Sequence, residues 1–490
     1  MSDVGAPVRR QGPPAPRTIM DASHPARRAS TLPAPDVPDA AVPARFARTR
    51  PVGLPEVGEV DIVRHYTRLS QENYGLDTGF YPLGSCSMKY NPKVAETVAT
   101  APGFAHLHPL QPDATAQGTL ELLWRLEQAL CVITGMARAT LQPPAGACGE
   151  MTGLLIMRAA HAAAGRERRT VLIPDSAHGT NPASVHLAGY DAVPVPSGAD
   201  GLIDADALDD IVNDDVAGLM LTNPNTLGLF ERDISRIAAA VHRVGAYVYY
   251  DGANLNAIMG RTRPGDMGFD IVHINTHKTF ATPHGGGGPG AGPVGVVEEL
   301  APFLPVPHVE RVGERFALVS DAPMSIGRVH GFHGNVGILV RAYVYLLLHG
   351  RDGLREVSER AVLNANYLAA LVRDAFPLAF PDTPPMHEFV ATAAPLERET
   401  GMRATDVAKR VIDLGFHPST VYFPLVVDEA MMVEPTETES KATLDAFAAA
   451  MLEAAKEASS DPELLRQAPV TTPVGRLDEA RAARHLVLHW

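Results

Sequence analysis

The chain has 490 residues, of which 46% are hydrophobic and 20% charged, enough to bury a large core in about two to four structural units. Lysine and arginine number 42 against 56 aspartate and glutamate residues, and the net charge of −14 argues against binding to nucleic acid or an anionic membrane. Three cysteines are too few for a disulfide framework, and no apolar run is long enough to span a bilayer, so a cytoplasmic protein is predicted.

The first fifty residues differ in composition from the rest. They contain nine prolines and eight arginines against four aspartates, with Phe46 as their one aromatic residue. Such a segment has too little apolar surface to offset the entropy of ordering, so residues 1–50 are predicted to form a disordered arm. The aspartates and prolines argue against an organelle transit peptide, which would form an amphipathic helix.

From residue 119 onward, helical and strand patterns alternate. Helices are predicted over residues 119–134, 150–164, 204–212, 233–244 and 335–349, and strands over residues 170–173, 192–195, 218–221, 246–250 and 270–274. This alternation predicts an α/β protein with a mostly parallel central sheet and helices on both faces. A smaller α+β domain is expected from about residue 350, where Thr436 and Glu439 have the spacing of a capping box before a helix.

Lys278 follows the last predicted strand and precedes a glycine-rich loop, in the stretch DIVHINTHKTFATPHGGGGPG (270–290). Ligands of open α/β sheets collect at the carboxyl ends of strands. A lysine there can bind phosphate, form a surface ion pair or act as an imine-forming nucleophile, and the pattern alone leaves all three open. The loop matches G-x-G-x-x-G at Gly285, Gly287 and Gly290, but an apolar strand-like run follows it instead of a helix, so no dinucleotide site is predicted.

Three other segments bring polar or small residues to the same edge. Asp251, in YVYYDGANLN (247–256), either caps a turn or is a buried carboxylate that faces a cation near Lys278. His178, in VLIPDSAHGTNPA (171–183), is either an ordinary polar residue or a group that stacks on a flat ligand. The small residues of QPPAGACGEMT (142–152) lead into a helix, whose first N–H groups can bind an anion.

A metal site and a nucleotide triphosphatase are both disfavoured. His273, His277 and His284 lie close together in the sequence, but neither an HExxH motif nor paired cysteines accompany them. The chain also lacks the Gly-Lys-Ser/Thr phosphate loop of triphosphatases.

Seven segments together resemble the pyridoxal-phosphate enzymes of the aspartate-aminotransferase fold (type I) and, more narrowly, the P-protein family of the glycine cleavage system. They are YPLGSCSMKYNP (81–92), LQPPAGACGEMTGLL (141–155), PDSAHGTNPASV (174–185), TNPNTLGLFE (222–231), YYDGANLNAIMG (249–260), INTHKTFATPHGGGGPG (274–290) and VEPTETESK (433–441). The resemblance extends from about residue 50 to the end of the chain. It matches the lysine-bearing half of the long form, which implies subunit 2 of the split form.

The resemblance implies pyridoxal 5'-phosphate as cofactor, and it implies a role for each of the residues at this edge of the sheet. Lys278 would form the Schiff base, Asp251 would pair with the pyridine nitrogen, and His178 would stack on the ring. Further cofactor contacts are expected from Ala147, Cys148, Thr222, Ala253, Thr276 and His277, and substrate contacts from Ser85, Lys89 and Asn254. Cys148 stands where a polar amide is common in this family, which argues against a side-chain contact with the phosphate.

The family resemblance also implies an activity and partners. The expected reaction is decarboxylation of glycine with transfer of the aminomethyl group to the lipoyl arm of the H-protein, an oxidation with a disulfide acceptor. Subunit 1 in an α2β2 assembly, the H-protein and, indirectly, the T-protein are the expected partners. Residues 51–118 are expected to pack on the large domain and on a partner. Residues 119–340 are expected to form the large, cofactor-binding domain, and residues 341–490 the small C-terminal domain. A pyridoxal-phosphate decarboxylase of a larger amino acid and a non-catalytic scaffold subunit are the alternatives.

Overall fold

The computed structural model of the chain describes residues 18–29, 33–286 and 288–488, which divide into two compact units at Gly75 and Leu76. The first unit contains a short 3-10 helix, Met20–Ala22, and helix α1, Glu59–Glu72. The predicted disordered arm lies partly outside the described residues, at 1–17 and 30–32. Its described part is mostly irregular and exposed, and its disorder stays a prediction.

The second unit carries the remaining helices and all the strands of the described residues. Its α-helices are α2 Lys93–Ala99, α3 Pro102–Ala105, α4 Gln117–Thr134, α5 Gly146–Ala163, α6 Thr180–Leu187, α7 Ala205–Ile211, α8 Ile234–Arg243, α9 Thr276–Thr279, α10 Val336–Val372, α11 Ala394–Thr400, α12 Ala404–Asp413, α13 Lys441–Ser460, α14 Pro462–Gln467 and α15 Glu479–Arg484. Its strands are β1 Arg138–Thr140, β2 Thr170–Pro174, β3 Asp191–Val195, β4 Val216–Thr222, β5 Tyr247–Gly252, β6 Ile271–Ile274, β7 Val294–Val296, β8 His308–Val312, β9 Arg315–Val319, β10 Phe389–Thr392, β11 Thr420–Val421 and β12 Ala430–Val433. Short 3-10 helices lie at Asp113–Thr115, Leu255–Ala257, Pro264–Met267 and Glu298–Phe303.

Seven strands form the central sheet, in the order β1-β7-β6-β5-β4-β2-β3. Strand β7 runs antiparallel to both of its neighbours, and the other six strands are parallel to one another. Helices α4, α8 and α10 pack on one face, and α5 and α6 pack on the other. The predicted α/β fold with a mostly parallel, doubly covered sheet is therefore confirmed.

The five predicted strands are all present, and their ends differ from the predictions by at most two residues. The predicted helix over 150–164 begins four residues earlier, at Gly146, and the sequence pattern missed helix α6. Apolar runs locate strands well because the central strands β4, β5 and β6 are almost entirely buried between two helical layers.

The C-terminal part builds a second core on the antiparallel sheet β10-β12-β11, which helices α11 to α14 cover. The second half of α10 packs into this core, while its first half packs on the central sheet. Gly350 (φ 58°) interrupts α10 where the predicted helix ends, and the helix crosses the predicted domain boundary at residue 340. The predicted capping box is wrong, because Thr436 adopts φ 64° and the Ser440 side chain caps α13 by accepting a hydrogen bond from Thr443 N (3.1 Å).

No helix among the described residues is both long enough and apolar enough to cross a membrane.

Candidate active site

Lys278 lies in the single turn of α9, four residues beyond the carboxyl end of β6. Its backbone N donates to Asn275 O (3.0 Å), which fixes the turn, and its side chain is half-buried. Its Nζ makes no hydrogen bond or ion pair with any residue that the structure describes. The lysine therefore presents an uncommitted amine at the edge of the sheet.

Asp251 lies near the end of β5, beside β6, and is buried. Its Oδ2 accepts a hydrogen bond from Asn181 Nδ2 (2.9 Å), its Oδ1 accepts one from Ala253 N (2.9 Å), and Oδ1 lies 3.2 Å from His273 Nε2. Burial alone would raise the pKa of Asp251, but His273 and the positive charge of Lys278 outweigh it and hold the pKa below its usual range. The site thus contains a buried, ionised carboxylate within the field of Lys278.

Two residues without a predicted role complete the surroundings of this carboxylate. His273 is fully buried, which lowers the pKa of its imidazole, yet the adjacent Asp251 carboxylate raises that pKa above its ordinary value. Glu150, in α5, accepts hydrogen bonds from Asn181 Nδ2 (3.2 Å) and Ser184 Oγ (2.9 Å). Burial, followed by repulsion from Asp251, raises the pKa of Glu150. Asn181 therefore bridges two carboxylates, and only the tertiary fold brings these groups together.

His178 follows β2 and lies at the exposed mouth of the same edge. Its Nδ1 accepts a hydrogen bond from Thr180 N (3.2 Å), and its ring packs edge-on against Phe423, with centroids 5.7 Å apart. Partial burial and the charge of Lys278 lower the pKa of the imidazole. A neutral imidazole ring at this position leaves its face available for a planar ligand.

The first turn of α5 provides N–H groups near the lysine. Ala145 occupies the N-cap position without a side-chain cap, and Gly149 N is the first to bond within the helix, to Ala145 O (3.0 Å). The N–H groups of Ala147 and Cys148 precede it and have no acceptor inside the helix. A Cβ on Gly146 would lie 1.8 Å from Asn275 Oδ1, so only glycine lets this turn approach the segment that bears Lys278.

The other predicted cofactor contacts lie around the same edge. Thr222 ends β4 in register with Asp251, and its buried Oγ1 has no hydrogen-bond partner among the described residues. Thr276 Oγ1 donates to Ala291 O (3.2 Å). The His277 ring packs against that of His284 (4.7 Å between centroids), and burial lowers the pKa of His277 to about 3. The structure therefore brings all the predicted cofactor contacts to the ends of β2, β4, β5 and β6 or to the start of α5.

The predicted substrate residues Ser85 and Asn254 meet at one carboxylate. Ser85 N donates to Glu388 Oε2 (2.7 Å), and Asn254 Nδ2 donates to Glu388 Oε1 (3.1 Å). Gly84 N donates to Met432 O of β12 (3.3 Å), so the C-terminal sheet holds this loop against the central sheet. Ser85 adopts φ 64°, a left-handed conformation that a serine keeps only when its surroundings enforce it.

Lys89, also predicted to contact substrate, is placed differently. Its side chain is fully buried, and its ammonium donates to Asn256 Oδ1 (2.7 Å), Thr279 O (2.9 Å), Tyr345 OH (3.1 Å) and Glu437 Oε1 (2.9 Å). An ammonium has three protons, so this network leaves none for a ligand. Lys89 supports the back of the site, against the carbonyl next to Lys278, and is not brought together with Ser85 and Asn254.

Replacing Lys89 by methionine is expected to lower the free energy of unfolding by roughly 3–5 kcal/mol, because it leaves the buried Glu437 carboxylate without its cation. The measurement is equilibrium denaturation with urea. The matched control is Lys93→Met, whose ion pair with Asp77 (2.6 Å) has both side chains more than half exposed and should cost less than about 1 kcal/mol. Equal losses in the two variants would contradict the structural role of Lys89.

Three fully buried residues without a predicted role adjoin Ser85. His387 and Glu388 immediately precede β10, and Glu434 immediately follows β12. Glu434 accepts hydrogen bonds from Ser87 N (2.8 Å) and Ser87 Oγ, and His387 Nε2 lies 3.8 Å from an oxygen of each glutamate. Polar residues directly beside short apolar strands are a signal that sequence reading could have used.

Burial sets the protonation of this group. Burial, with repulsion from Glu434, raises the pKa of Glu388 to about 8, and burial raises the pKa of Glu434 to about 7. Burial also lowers the pKa of His387 to about 3, with the charges of Lys278 and Lys89 adding to the effect. The imidazole is therefore neutral, and the pair of carboxyl groups keeps at least one proton at a pH where ordinary glutamates would have lost theirs.

Comparison with known proteins matches both halves of the chain. The family model of the glycine cleavage system P-protein matches residues 33–309, and that of the glycine dehydrogenase C-terminal domain matches residues 357–466. The chain is 59% identical over 442 residues to a probable glycine dehydrogenase (decarboxylating) subunit 2 of Caldanaerobacter subterraneus, covering 90% of this chain and 91% of the relative. A protein of the same name from Listeria innocua is 57% identical over 441 residues, covering 90% of each.

Solved structures agree at the level of the fold. A glycine decarboxylase (P-protein) of the glycine cleavage system, in inhibitor-bound form, superposes with a TM-score of 0.71 at 22% identity, covering 84% of this chain and 93% of that one. A glutamate decarboxylase from Lactobacillus brevis superposes with a TM-score of 0.63 at 16% identity, covering 88% and 96%. With 90% of its length matched by relatives of one kind, the chain belongs to the glycine dehydrogenase (decarboxylating) subunit 2 family of glycine cleavage system P-proteins.

Proposed function

We propose that the chain binds pyridoxal 5'-phosphate at Lys278, decarboxylates glycine and passes the aminomethyl group to the lipoyl arm of an H-protein. The observation that carries this proposal is the uncommitted amine of Lys278 beside the buried, ionised carboxylate of Asp251. A lysine amine that binds an aldehyde covalently must be free of a competing ion pair, and a pyridine nitrogen keeps its proton best beside a desolvated carboxylate.

The residues around Lys278 fit the cofactor group by group. The free N–H groups at the start of α5 and the unpartnered Thr222 Oγ1 suit the phosphate and the polar substituents of the ring. The exposed face of His178 suits the ring itself, and Asp251 suits the ring nitrogen. These roles, with those of Ala147, Cys148, Ala253, Thr276 and His277, are part of the proposal.

When bound, the cofactor supplies an electron sink for the bond-breaking step. Asp251 would keep a proton on the ring nitrogen, because Asn181 and the Ala253 N–H hold its carboxylate in place and His273 lies beside it. Ser85 and Asn254, fixed on Glu388, would orient the amino acid. The neutral imidazole of His178 would cover the ring and exclude water from one face.

The assembly is proposed from the family. A chain named as a second subunit implies a subunit 1 as partner, and we propose the α2β2 arrangement, with the H-protein as acceptor and the T-protein acting on the product. The three cysteines among the described residues are unpaired, which is compatible with the proposed cytoplasmic location. The boundaries at residues 118 and 340 are likewise proposed.

Co-purification with subunit 1, followed by spectroscopy, tests this function. The native protein should show the absorbance of bound cofactor, and borohydride reduction should fix the cofactor on the peptide that contains Lys278. Exchange of labelled bicarbonate into glycine, but not into glutamate or aromatic amino acids, should follow when H-protein is present. Exchange into a larger amino acid would favour another decarboxylase, and the absence of any bound cofactor would favour a scaffold subunit.

A further inference from the structure

Glu388, Glu434 and His387 form a buried group, here called the acid pair with its imidazole, that cofactor binding does not use. All three side chains are fully buried, and none forms an ion pair with a lysine or arginine among the described residues. Two ionised carboxylates placed this close, without a cation between them, would repel each other strongly in a dry interior. One proton or more must therefore be held there at neutral pH.

The imidazole of His387 lies close to both carboxyl groups. Nε2 of His387 is 3.8 Å from Glu388 Oε1 and 3.8 Å from Glu434 Oε1, and both of its ring nitrogens lack a hydrogen-bond partner among the described residues. The remaining donors are directed at the carboxyl groups from outside, from Ser85, Ser87 and Asn254. One polar atom of each of the three side chains lies within 4.8 Å of the other two, close enough for the carboxyl groups to share a proton.

The acid pair adjoins the residues proposed to bind the substrate. Glu388 bonds directly to Ser85 and Asn254, and the positive charge of Lys278 acts on both glutamates and on His387. The positive charge of Lys89 also lowers the pKa values of Glu434 and His387. Burial, together with the negative charges of both glutamates, raises the pKa of the Cys86 thiol. Asp251 is ionised and has no proton to give, and burial lowers the pKa of His277 to about 3 and that of His284 to about 4, so neither imidazole carries an acidic proton.

We propose that Glu388 and Glu434 share a proton beside the neutral ring of His387 and deliver it to the sulfur that leaves when the lipoyl disulfide is opened. This inference rests on the proposed function. After CO2 departs, the electron pair left on the glycine carbon forms a C–S bond with one lipoyl sulfur, the S–S bond breaks, and the second sulfur leaves as a thiolate. The carbon is oxidised and the disulfide is reduced. CO2 carries no proton away, so the thiolate takes one from the acid pair, which later regains it from solvent.

The first test measures the protonation of the acid pair directly, in protein from which the cofactor has been removed. Difference infrared spectra should show a protonated carboxyl band that loses intensity as the pH rises through neutrality, and both Glu388→Gln and Glu434→Gln should remove part of it. The folded chain keeps a proton that ordinary glutamates release near pH 4.3, so thermal stability should fall as the pH rises from about 5 to 8, and less steeply in Glu388→Gln. A band or a stability slope identical in all three proteins would overturn the proposal.

The second test separates binding from transfer, with lipoamide as the disulfide acceptor. In Glu434→Gln the glycine-induced change in cofactor absorbance should stay within about twofold, while aminomethyl transfer falls roughly 100-fold. Glu388→Gln should lose transfer to a similar extent and should also weaken the glycine response, because Glu388 holds Ser85 and Asn254. In the unmutated enzyme, transfer should decline as the pH rises through neutrality. The matched control is Glu127→Gln, a buried glutamate whose partners are Arg138 and Ala139 N, and it should transfer normally.

Each failure has a distinct meaning. Full transfer by both glutamine variants, or a stoichiometric divalent metal that these variants lose, would overturn the acid pair while leaving the proposed function intact. An unmutated protein that shows no cofactor band and no glycine response would instead refute the proposed function, and the infrared test on cofactor-free protein would still decide whether the proton is there.

Discussion

Lys278→Ala is expected to abolish both the absorbance of bound cofactor and the turnover of glycine. Lys278 presents an uncommitted amine at the edge of the sheet, whereas the buried Lys89 ammonium is bound by four acceptors. Borohydride reduction followed by peptide mass analysis should find no modified lysine in the variant. Glycine–bicarbonate exchange, with subunit 1 and H-protein present, should fall to the background without enzyme.

The loss can be assigned to chemistry because the substitution should barely affect the fold. Lys278 Nζ has no bonded partner among the described residues, so the free energy of unfolding should change by less than about 1 kcal/mol. The control is Lys456→Ala, an exposed lysine near Glu453 (3.4 Å), which should retain full activity. Exchange that survives in Lys278→Ala would rule out this lysine as the attachment point.

The strands of the central sheet could be predicted from the sequence because they are apolar and the turns that follow them are polar. The same reasoning identified Asp251, His178 and Lys278 as neighbours, because parallel strands bring their carboxyl ends to one edge. The structure agrees in placing Asp251 beside β6 and within the field of Lys278. Strand β7, by contrast, runs antiparallel, which no local pattern in the sequence indicated.

Contacts between distant segments were beyond sequence reading. Glu388 and Ser85 are 303 positions apart, and Glu434 and Ser87 are 347 apart, so no periodicity or spacing relates them. Family resemblance placed the Ser85–Lys89 loop near the substrate without distinguishing its members. The fold separates them, because Ser85 faces Glu388 whereas Lys89 faces Glu437.

Asp251→Asn is expected to leave the cofactor bound but to lower turnover roughly 100-fold or more, the scale on which removing a proton-positioning group acts. The substitution keeps the volume and removes only the charge, so the ring nitrogen would lose the carboxylate that keeps it protonated. Cofactor absorbance should persist, and its response to pH should shift, because the nearest charge at the ring nitrogen is gone.

The surroundings of Asp251 can accept the amide. The new Nδ2 group would meet Asn181 Nδ2, a donor against a donor, but Asn181 Oδ1 has no partner among the described residues, so rotation of that side-chain amide restores this hydrogen bond. The rotation gives up the hydrogen bond from Asn181 to Glu150, which keeps the one from Ser184 Oγ. The matched control is Asp270→Asn at the opposite end of β6, where the carboxylate accepts from Val248 N (2.7 Å) and lies 2.8 Å from His242 Nε2. Normal turnover is expected there, and normal turnover in Asp251→Asn as well would show that a neutral group suffices at the ring nitrogen.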